Sequence, residues 1–521
     1  MSVRTHPIPA ARPGAGSSPP ARWLALAVLC VSLLMVTLDN TVLNVALPTL
    51  VRDLGATTTN LQWIVDAYVI VFAGLLLVGG SLADRVGRKR VYLIGLTAFA
   101  LGSTWAAFSG SVGTLIAARA SMGIGGAMMM PSTLAIITDM FTDDTQRQRA
   151  IGVWAGTTGL GVALGPIVGG LLLARFWWGS VFLINVPIAA VGLACAIPLI
   201  PESKNTRALR PDLVGALLSI AGLGLVLWAL IEAPVRGWSS TLVIAAGVAG
   251  LAVLAAFVGW ERASSHPMLN MRFFRSRRFS AAVSSVGLVM FGLFGALFVL
   301  TQFMQFSLGY SALQSGIRVL PAAGAIAVIA PLSTALVRWV GTKLTVAGGL
   351  AIIATGLWQV AATSHTTAYT DILPGLILLG VGAGLAIPAT TESVMGSLPS
   401  GHTGVGSATN GAFLQTGGAL GVAVIGSLLN TRYQDVMTAS LAPFHVPQAA
   451  MEQILGSIGG ALAVAARLGG TLGAQLADLA RAAFADGMDL GLSIGAVVAL
   501  CGCLIALAAL PSRPPRTERR H

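Results

Sequence analysis

The sequence predicts an all-α membrane protein with fourteen transmembrane helices in an arrangement of six, two and six. Three observations support this fold class. Of the 521 residues, 55% are hydrophobic and 10% are charged, whereas a soluble globular domain carries about 25% charged residues. The apolar residues occur in repeated runs, long enough for a helix to cross about 30 Å of hydrocarbon. Basic residues fall between these runs, and this composition excludes a soluble globular protein and a disordered chain.

Fourteen apolar runs, separated by turn and charge signals, define the candidate spans. The first follows a polar, Pro-rich segment and contains Asp39 and Asn40, so we interpret it as a retained helix rather than as a signal peptide. The spans are residues 23–50, 60–82, 89–109, 112–137, 148–174, 179–200, 212–233, 240–260, 279–308, 317–337, 343–363, 371–395, 403–430 and 485–510. An even number places both termini on the same side of the membrane.

Lys and Arg residues set the orientation. With both termini in the cytoplasm, 23 of the 31 basic residues fall in inner segments and seven in outer segments, and Arg119 falls within a span. This positive-inside distribution is typical of membrane proteins, and it accounts for the net charge of +12 without a nucleic-acid partner. The 28 Arg against 3 Lys, with abundant Ala and Gly, favour a high-GC bacterium. We therefore expect a multi-pass protein of the bacterial inner (plasma) membrane.

A weak internal repeat divides the chain. The segment Gly80–Arg90, after the second span, has a degraded echo in Arg338–Lys343, after the tenth. A duplicated six-helix unit predicts such equivalent segments, which makes spans seven and eight an inserted pair. The resulting division is a cytoplasmic tail over 1–22, a first six-helix bundle over 23–200, two inserted helices and linkers over 201–278, a second six-helix bundle over 279–510 and a cytoplasmic tail over 511–521.

Residues 431–484 are expected to form an outer loop within the second bundle. The stretch 454–476 is apolar enough for a fifteenth span, but Arg467 lies in its middle and glycine pairs interrupt it. A further crossing would also move the four arginines of the C-terminal tail outside. We therefore predict short amphipathic, Ala-rich helices on the membrane surface.

Neither a cofactor nor a metal ion is expected. The four cysteines lie inside apolar runs and the six histidines are scattered, so the sequence contains no disulfide pattern and no cluster of metal ligands. The chain also lacks the G-x-x-x-x-G-K-S/T phosphate loop of nucleotide-driven proteins. A membrane enzyme or an ATP-driven pump is therefore disfavoured.

Asp39, Asp66 and Arg119 are ionisable residues that fall within the spans. Asp39 lies in the middle or outer half of the first span. Asp66 and Arg119 lie at similar depths below the outer face, which makes a pairing of Asp66 with Arg119 possible. A carboxyl group in a low-dielectric interior binds its proton more tightly, and a nearby guanidinium favours the charged form. A change in the distance between acid and arginine can then bind or release a proton, although a purely structural ion pair would use the same residues.

Four polar residues are candidate contacts for a transported solute. Asn44 belongs to a polar arc near Asp39. Glu392 lies near the inner end of the twelfth span, where it either contacts a cation or extends to water. Asn410 and Gln415 lie in the thirteenth span, which contains no acid.

The segment 80–90 carries a distinct pattern between the second and third spans. Gly80 and Gly87 permit a tight turn between antiparallel helices. Asp84 can cap a helix N-terminus or pair with a cation, and a basic run that includes Arg85 and Arg88 anchors the segment inside. Topology anchoring alone explains the positive charges but not Asp84 or the glycine spacing.

The fifth span combines regularly spaced glycines with a proline. Gly161, Gly165 and Gly169 recur every four residues, and Pro166 and Gly170 lie among them. Small residues at this spacing let another helix approach closely, and the proline adds a kink. Glycine-rich packing is common in membrane helices, whereas this extended glycine and proline pattern is rarer.

These motifs make the sequence resemble the fourteen-helix drug:proton antiporters of the major facilitator superfamily, the EmrB/QacA-like branch, over essentially the whole chain after residue 22. Leu38–Pro48 is similar to the first-span signature of this branch, and Gln62–Tyr68 is similar to its second span. Gly80–Arg90 resembles the gating loop of the superfamily. Arg119–Gly125 resembles the fourth-span motif, and Gly161–Gly170 resembles the antiporter motif of exporters.

The resemblance implies proton coupling through Asp39, Asp66 and Arg119. The expected protein exchanges inward protons for small hydrophobic compounds, neutral or singly charged, such as antibiotics, and works as a monomer in the lipid bilayer. Strongly dicationic substrates are not expected, because Glu392 is the acid available in the second half. A proton symporter that imports a nutrient would share the fold, but the glycine and proline pattern of the fifth span counts against import.

Overall fold

The computed structural model describes residues 19–204, 211–398 and 403–512 as helices joined by short turns. The helices are α1 (Pro19–Leu54), α2 (Thr58–Val86), α3 (Arg88–Ala107), α4 (Val112–Met140), α5 (Asp144–Arg175), α6 (Ser180–Leu183), α7 (Asn185–Leu199), α8 (Leu213–Arg236), α9 (Thr241–Ala263), α10 (Arg277–Gln302), α11 (Ala312–Ala361), α12 (Tyr369–Met395), α13 (Thr403–Leu441), α14 (Gln448–Gly456), α15 (Ile458–Leu468) and α16 (Gly470–Ala509). A 3₁₀ turn covers Phe273–Arg275, and α10 continues into a π turn over Phe303–Ser307.

Polar residues fix where several helices begin. Thr57, Ser111 and Ser311 each form a reciprocal capping box at the start of α2, α4 and α11. At Thr57, for example, the hydroxyl accepts from the backbone N–H of Asn60 at 3.2 Å, and the Asn60 side chain accepts from the Thr57 N–H at 3.0 Å. Such caps satisfy backbone donors that the first helical turn leaves free.

Among the described residues, twelve helices are long and apolar enough to cross a membrane, two fewer than the sequence predicts. One difference is α3, which has 20 residues but begins with three consecutive basic residues and is less apolar. The other is α11, whose 50 residues cover the two predicted spans 317–337 and 343–363. Within α11, Gly341 adopts a non-helical conformation with φ 86° and ψ 162°.

The segment predicted as an outer loop, residues 431–484, is mostly helical. α13 continues to Leu441 and α16 begins at Gly470. Both extensions carry buried apolar side chains, such as Met437 and Phe484, so packing on the protein extends each helix beyond its predicted end.

The short helices α14 and α15 also pack on the protein rather than lying on the membrane surface. Ile454 and Ile458 are buried, and Gly459 lies against the side chains of Val51 in α1 and Phe306 after α10. The amphipathic pattern was recognised from the sequence, but its apolar side faces other helices.

The helices form two groups and a separate pair, α8 and α9. In the N-half (α1–α7), α4 packs on α2 and α3, and α1 packs on α5 and α7. In the C-half (α10–α16), α11 packs on α12 and α16, and α13 packs on α10 and α16. α8 and α9 pack on each other, and α8 also contacts α2 and α13. The two halves meet through α2 with α13, α5 with α11, and α1 with α10.

Glycines allow the closest helix crossings. Gly79 of α2 lies against the backbone of Ala127 in α4, and Gly417 of α13 lies against the backbone of Gly287 in α10. A Cβ atom at either glycine would overlap the facing backbone. The positions therefore require glycine for the close approach that drives association of helices in lipid.

Candidate functional site

A buried ion pair joins α1 to α4 inside the N-half. A guanidinium nitrogen of Arg119 pairs with Asp39 Oδ2, and each side chain is 1% exposed. The Asn185 amide on α7 donates to the other carboxylate oxygen of Asp39 at 3.1 Å and to Ser103 Oγ on α3 at 3.0 Å. Four helices thus contribute to one polar cluster, and the acid has a partner on each oxygen.

Arg119 is held by a second set of contacts from α2. Its Nε donates to the backbone oxygen of Ile64 at 3.2 Å, and its guanidinium lies 4.5 Å from the centroid of the Tyr68 ring. Cation–π contact and the backbone acceptor compensate for loss of water around the buried charge.

The pairing of Asp66 with Arg119, which similar depth made possible, is not formed, because Arg119 pairs with Asp39. Similar depth in the membrane is compatible with a contact between Asp66 and Arg119, but depth does not fix the direction of a side chain around its helix. Asp66 is fully buried, and neither carboxyl oxygen has a hydrogen-bond partner among the described residues. It lies one turn from Gln62, whose side chain enters the contact with α13.

A cavity lies between the halves on the opposite side of α1 from the ion pair. The empty space in and around it amounts to roughly 530 Å³, which includes open solvent. Its polar lining consists of Thr41, Asn44 and Thr301, and it contains no charged residue. The complete lining is Thr41, Asn44, Val45, Val162, Ala163, Pro166, Leu293, Leu297, Thr301, Val319, Leu320, Ala322, Ala323 and Ile326. The cavity suits an apolar solute that makes few hydrogen bonds.

Of the four predicted solute contacts, Asn44 lines this cavity and the other three do not. Glu392 is exposed at the inner end of α12. Asn410 is buried and donates weakly to Thr391 Oγ1, at 3.4 Å, and Gln415 is partly buried on α13. Sequence reasoning missed Thr301, because a lone threonine in an apolar helix carries no signal of its surroundings.

The segment 80–90 is helical on both sides of Gly87, so the predicted loop is shorter than expected. Gly87 has φ 134°, which favours glycine, whereas Gly80 lies within α2 and faces Pro131 of α4. Arg85 is exposed. Asp84 pairs with a cation, one of the two predicted roles, at 2.7 Å from Arg88 Nε.

Arg88 joins three helices at this point. Besides Asp84 of α2, it pairs with Asp139 and donates to the backbone oxygen of Ala135 at 3.3 Å, both in α4. Asp139 was not recognised from the sequence, since it lies 51 residues from its partner Arg88 and has no pattern of its own. The cluster holds the inner ends of α2, α3 and α4 together.

The glycines of α5 face two different helices. Gly161 and Gly165 lie against Thr37 and Thr41 of α1, and a Cβ atom at either position would overlap those side chains. Thr41 Oγ1 also donates to the backbone oxygen of Gly161 at 3.3 Å. This close approach inside the N-half is the one the sequence pattern predicts.

The remaining members of the α5 motif contact the C-half. Gly170 lies against the backbone of Leu313, and the backbone of Pro166 lies against Gly316, both in α11. Gly169 packs on Val42 of α1. One motif thus serves packing within a half and contact between the halves.

Two glutamines form hydrogen bonds between the halves at the end of the molecule where α1 leads into α2. We call this end the outer end, after the orientation predicted from the Lys and Arg residues. The Gln62 amide nitrogen lies within 3.2 Å of three oxygens in α13. The Gln305 amide, in the π turn after α10, donates to Val45 of α1 at 2.9 Å. Gln62 lies inside a motif recognised in the sequence, but its partner, 360 residues away, could not be found from the motif.

The chain is similar to a known protein family and to several bacterial resistance proteins. The family model described as Major Facilitator Superfamily matches residues 29–422. The multidrug efflux pump LfrA of Mycolicibacterium smegmatis is 37% identical over 96% of this chain and 97% of its own. The methyl viologen resistance protein SmvA of Salmonella typhimurium is 34% identical over 89% of this chain and 93% of its own.

A solved structure has the same fold. It is a bacterial homolog to the human lysosomal transporter Spinster, in an inward-facing and unoccupied conformation, with a TM-score of 0.66. The match covers 95% of this chain and 98% of the other, at 16% sequence identity.

Proposed function

We propose that this chain, which belongs to the major facilitator superfamily, exports hydrophobic, neutral or singly charged compounds in exchange for protons. The relatives' names support export of toxic compounds. The proposal assigns cargo to the cavity between the halves and protons to Asp39, Asp66 and Arg119. Alternating access would come from rocking of the two halves about the cavity.

The observation that carries the proposal is the position of α1 between the two sites. One side of α1 places Asp39 in the buried polar cluster, and the other places Thr41 and Asn44 in the cavity lining. A shift of α1 that lets cargo in or out therefore also changes the surroundings of the Asp39–Arg119 pair. Proton and cargo would be coupled through movement of one helix.

The driving force is sufficient for concentrative export. A proton that moves inward gains about 2.3 kcal/mol per 100 mV of membrane potential. This free energy corresponds to roughly a 50-fold gradient of an uncharged solute. One proton per cargo molecule would then maintain a substantial gradient across the membrane.

The proposal includes the fourteen-span architecture of the EmrB/QacA-like branch. Two features support it: α3 is a 20-residue helix that packs on α4, and the non-helical Gly341 divides α11 near its middle. Counting α3 and both parts of α11 gives fourteen crossings, with both termini in the cytoplasm, in a protein that works as a monomer in the bacterial plasma membrane.

The test is exchange in proteoliposomes under an imposed pH gradient. Two probes are used: ethidium, a hydrophobic monocation, and methyl viologen, a dication. We expect movement of ethidium against the proton flow, weak movement of methyl viologen because the cavity lining has no acid, and loss of pH-driven transport in Asp39→Asn and Asp66→Asn. Asp53→Asn, an exposed acid at the outer end of α1, is the matched control.

Three results would contradict the proposal. They are full pH-driven transport by both acid variants, movement of ethidium in the same direction as the protons, and faster transport of methyl viologen than of ethidium. The second result would instead favour a symporter of the same fold.

A further inference from the structure

Gln62 makes the densest polar contact between the halves. Its side chain is fully buried, and its amide nitrogen lies 3.1 Å from Val422 O, 3.0 Å from Ala423 O and 3.2 Å from Ser427 Oγ. Gly426 provides the room, since a Cβ atom there would lie 2.6 Å from this nitrogen. Both N–H groups of the amide are thus directed at α13.

A row of buried oxygens without partners follows the same side of α2. Thr59, Gln62 and Asp66 are spaced by three and four residues, so they lie on one face of the helix. Gln62 Oε1, Thr59 Oγ1 and both carboxyl oxygens of Asp66 have no hydrogen-bond partner among the described residues. Buried acceptors without donors are costly, and a proton on Asp66 would supply a donor.

Helix geometry places that donor near Gln62. Side chains on an α-helix lean toward its N-terminus, so Asp66 leans toward the residue four positions before it. The Gln62 amide nitrogen is occupied by α13, which leaves Oε1 as the acceptor on the amide. An O–H group on Asp66 can then donate to Gln62 Oε1.

We propose that Gln62 is the positioning residue that links the proton on Asp66 to closure of the outer end. The inference rests on the proposed function, because it takes Asp66 as a proton-carrying acid. With the proton bound, the Asp66 hydroxyl donates to Gln62 Oε1 and holds both amide N–H groups toward α13. When the proton leaves, the Asp66 carboxylate accepts those N–H groups, the amide turns from α13, and the contact between α2 and α13 is lost.

This order of events fits exchange of a proton for cargo. The protein closes its outer end after a proton arrives from outside, and it releases that proton toward the cytoplasm when cargo enters. The empty carboxylate then withdraws the Gln62 amide from α13, so the outer end reopens with cargo and without a proton. Closure of the outer end without a proton is disfavoured, because it would let the protein face inward again without proton entry.

The other charged groups around Asp66 are engaged elsewhere or lie at the helix ends. From α4 and α1, Arg119 and Asp39 face each other. From α8, Glu232 pairs with Arg236 at 2.9 Å. α13 has no ionisable residue between 403 and 430. The remaining titratable groups on the packed helices are Arg22, Cys30, Arg52, Asp53, Tyr68, Asp84, Arg85, Arg88, Lys89, Arg90, Tyr92, Asp139, Arg432, Tyr433 and Asp435.

The C-half offers a matched pair of glutamines for the test. Gln305 donates across the interface to Val45 O at 2.9 Å, and Gln302, one turn earlier, donates to Phe298 O of its own helix at 2.9 Å. Both are buried. Gln302→Leu therefore removes a buried hydrogen bond without removing one between the halves.

The experiment measures the distance between the halves at the outer end by double electron–electron resonance in purified full-length protein. Spin labels are attached at Asp53→Cys and Ala362→Cys, which are exposed at the outer ends of opposite halves, after replacement of the four native cysteines. Distances are recorded at pH 6 and pH 8 for the parent, Gln62→Leu, Gln62→Met, Asp66→Asn and Gln302→Leu.

We expect the parent to be closed at pH 6 and more open at pH 8, with Gln302→Leu behaving alike. Asp66→Asn should stay closed at both values, because its amide N–H can donate to Gln62 Oε1 at any pH. Gln62→Leu and Gln62→Met should lower the ratio of closed to open molecules by about tenfold at pH 6. The Gln62 variants should also lose the dependence on pH, which a merely structural role would leave intact.

Two results would overturn the inference: a pH-dependent closure that survives in a folded Gln62 variant, and a parent whose outer distance does not respond to pH. Proteoliposome exchange separates this failure from failure of the proposed function. If Asp66→Asn abolishes pH-driven transport while Gln62 variants close normally, the positioning role is wrong and the exporter proposal stands. If the parent shows no pH-driven exchange, the proposed function itself fails.

Discussion

The N-half and the C-half differ in how they treat buried charge. In the N-half, Asp39, Asp66 and Arg119 lie in the interior with at most 2% exposure. In the described part of the C-half, the buried polar residues are neutral, with Gln302 and Gln305 as examples. The comparison teaches that one half carries the groups able to hold a proton, while the other supplies neutral walls and backbone acceptors.

The cavity lies where the two kinds of half meet. The N-half contributes Thr41 and Asn44 to its polar lining, and the C-half contributes Thr301. Neither half contributes a charge. In the proposed exchange, cargo binding at this lining and proton binding at the cluster behind α1 are therefore spatially separate, and their coupling would depend on movement of α1.

The comparison predicts its largest effect for loss of the N-half cation. Arg119→Leu leaves Asp39 buried with a single amide donor, and breaking a buried ion pair in this way costs about 3 to 5 kcal/mol. We expect a large fall in thermal unfolding temperature in detergent and loss of transport. Gln302→Leu, an equally buried change in the C-half, should cost far less. Equal stability of the two variants would contradict the asymmetry.

A smaller effect is expected where the halves touch through α5. Gly170→Val places a side chain against the backbone of Leu313, and overpacking of this kind costs about 1 to 3 kcal/mol. The added side chain destabilises the state in which the outer ends of the halves are in contact, so transport should drop while the fold persists. Gly156→Val, on the same helix with open space around its Cβ position, is the control, and a similar loss of transport in both would refute the contact.

The two inner repeat segments allow a sharper test of the asymmetry. Arg88 pairs with Asp84 and Asp139 and its side chain is 14% exposed, whereas Lys343, the basic residue that follows Gly341 in the echo segment, has no ion pair in the part of the chain that the structure describes. Arg88→Ala should lower the free energy of unfolding by about 1 to 2 kcal/mol. Denaturation of Lys343→Ala should match the parent, and a loss equal to that of Arg88→Ala would show that the halves are alike here.

The smallest effect is expected in the cavity wall. Thr301→Val keeps the shape of the side chain and removes one hydroxyl, so ethidium binding should change by about two- to fivefold, with proton coupling retained. Thr355→Val, exposed on α11, should leave binding unchanged. If Thr301→Val abolished the response to pH, the separation of cargo and proton sites would be wrong.

Composition, hydropathy and motif spacing were sufficient to predict an all-α transporter, ionisable residues within its helices at Asp39, Asp66 and Arg119, and the glycine contact in α5. They failed where direction or distance along the chain decided the outcome. Arg119 pairs with Asp39 rather than Asp66 because of the side of its helix that each acid occupies. Gln62 and Arg88 bind partners that are far away in the sequence. Packing also extends α13 and α16 into a segment predicted as a loop.

The span count shows a different limit. Hydropathy treats α3 as too polar and α11 as continuous, while the sequence pattern divides the same residues into separate spans. A glycine such as Gly341 interrupts a helix through its backbone angles, which neither length nor apolarity records. The sequence marks the same boundary by Arg338 and Lys343, which flank this glycine, rather than by hydropathy.

Proton release on cargo binding tests the exchange of proton for cargo most directly. Purified protein in weakly buffered detergent solution is titrated with ethidium, and the proton release is followed with a pH indicator. The account predicts that binding of ethidium releases protons from the parent and none from the Asp39→Asn/Asp66→Asn double variant. Ethidium binding without proton release from the parent, or equal release from the double variant, would contradict it.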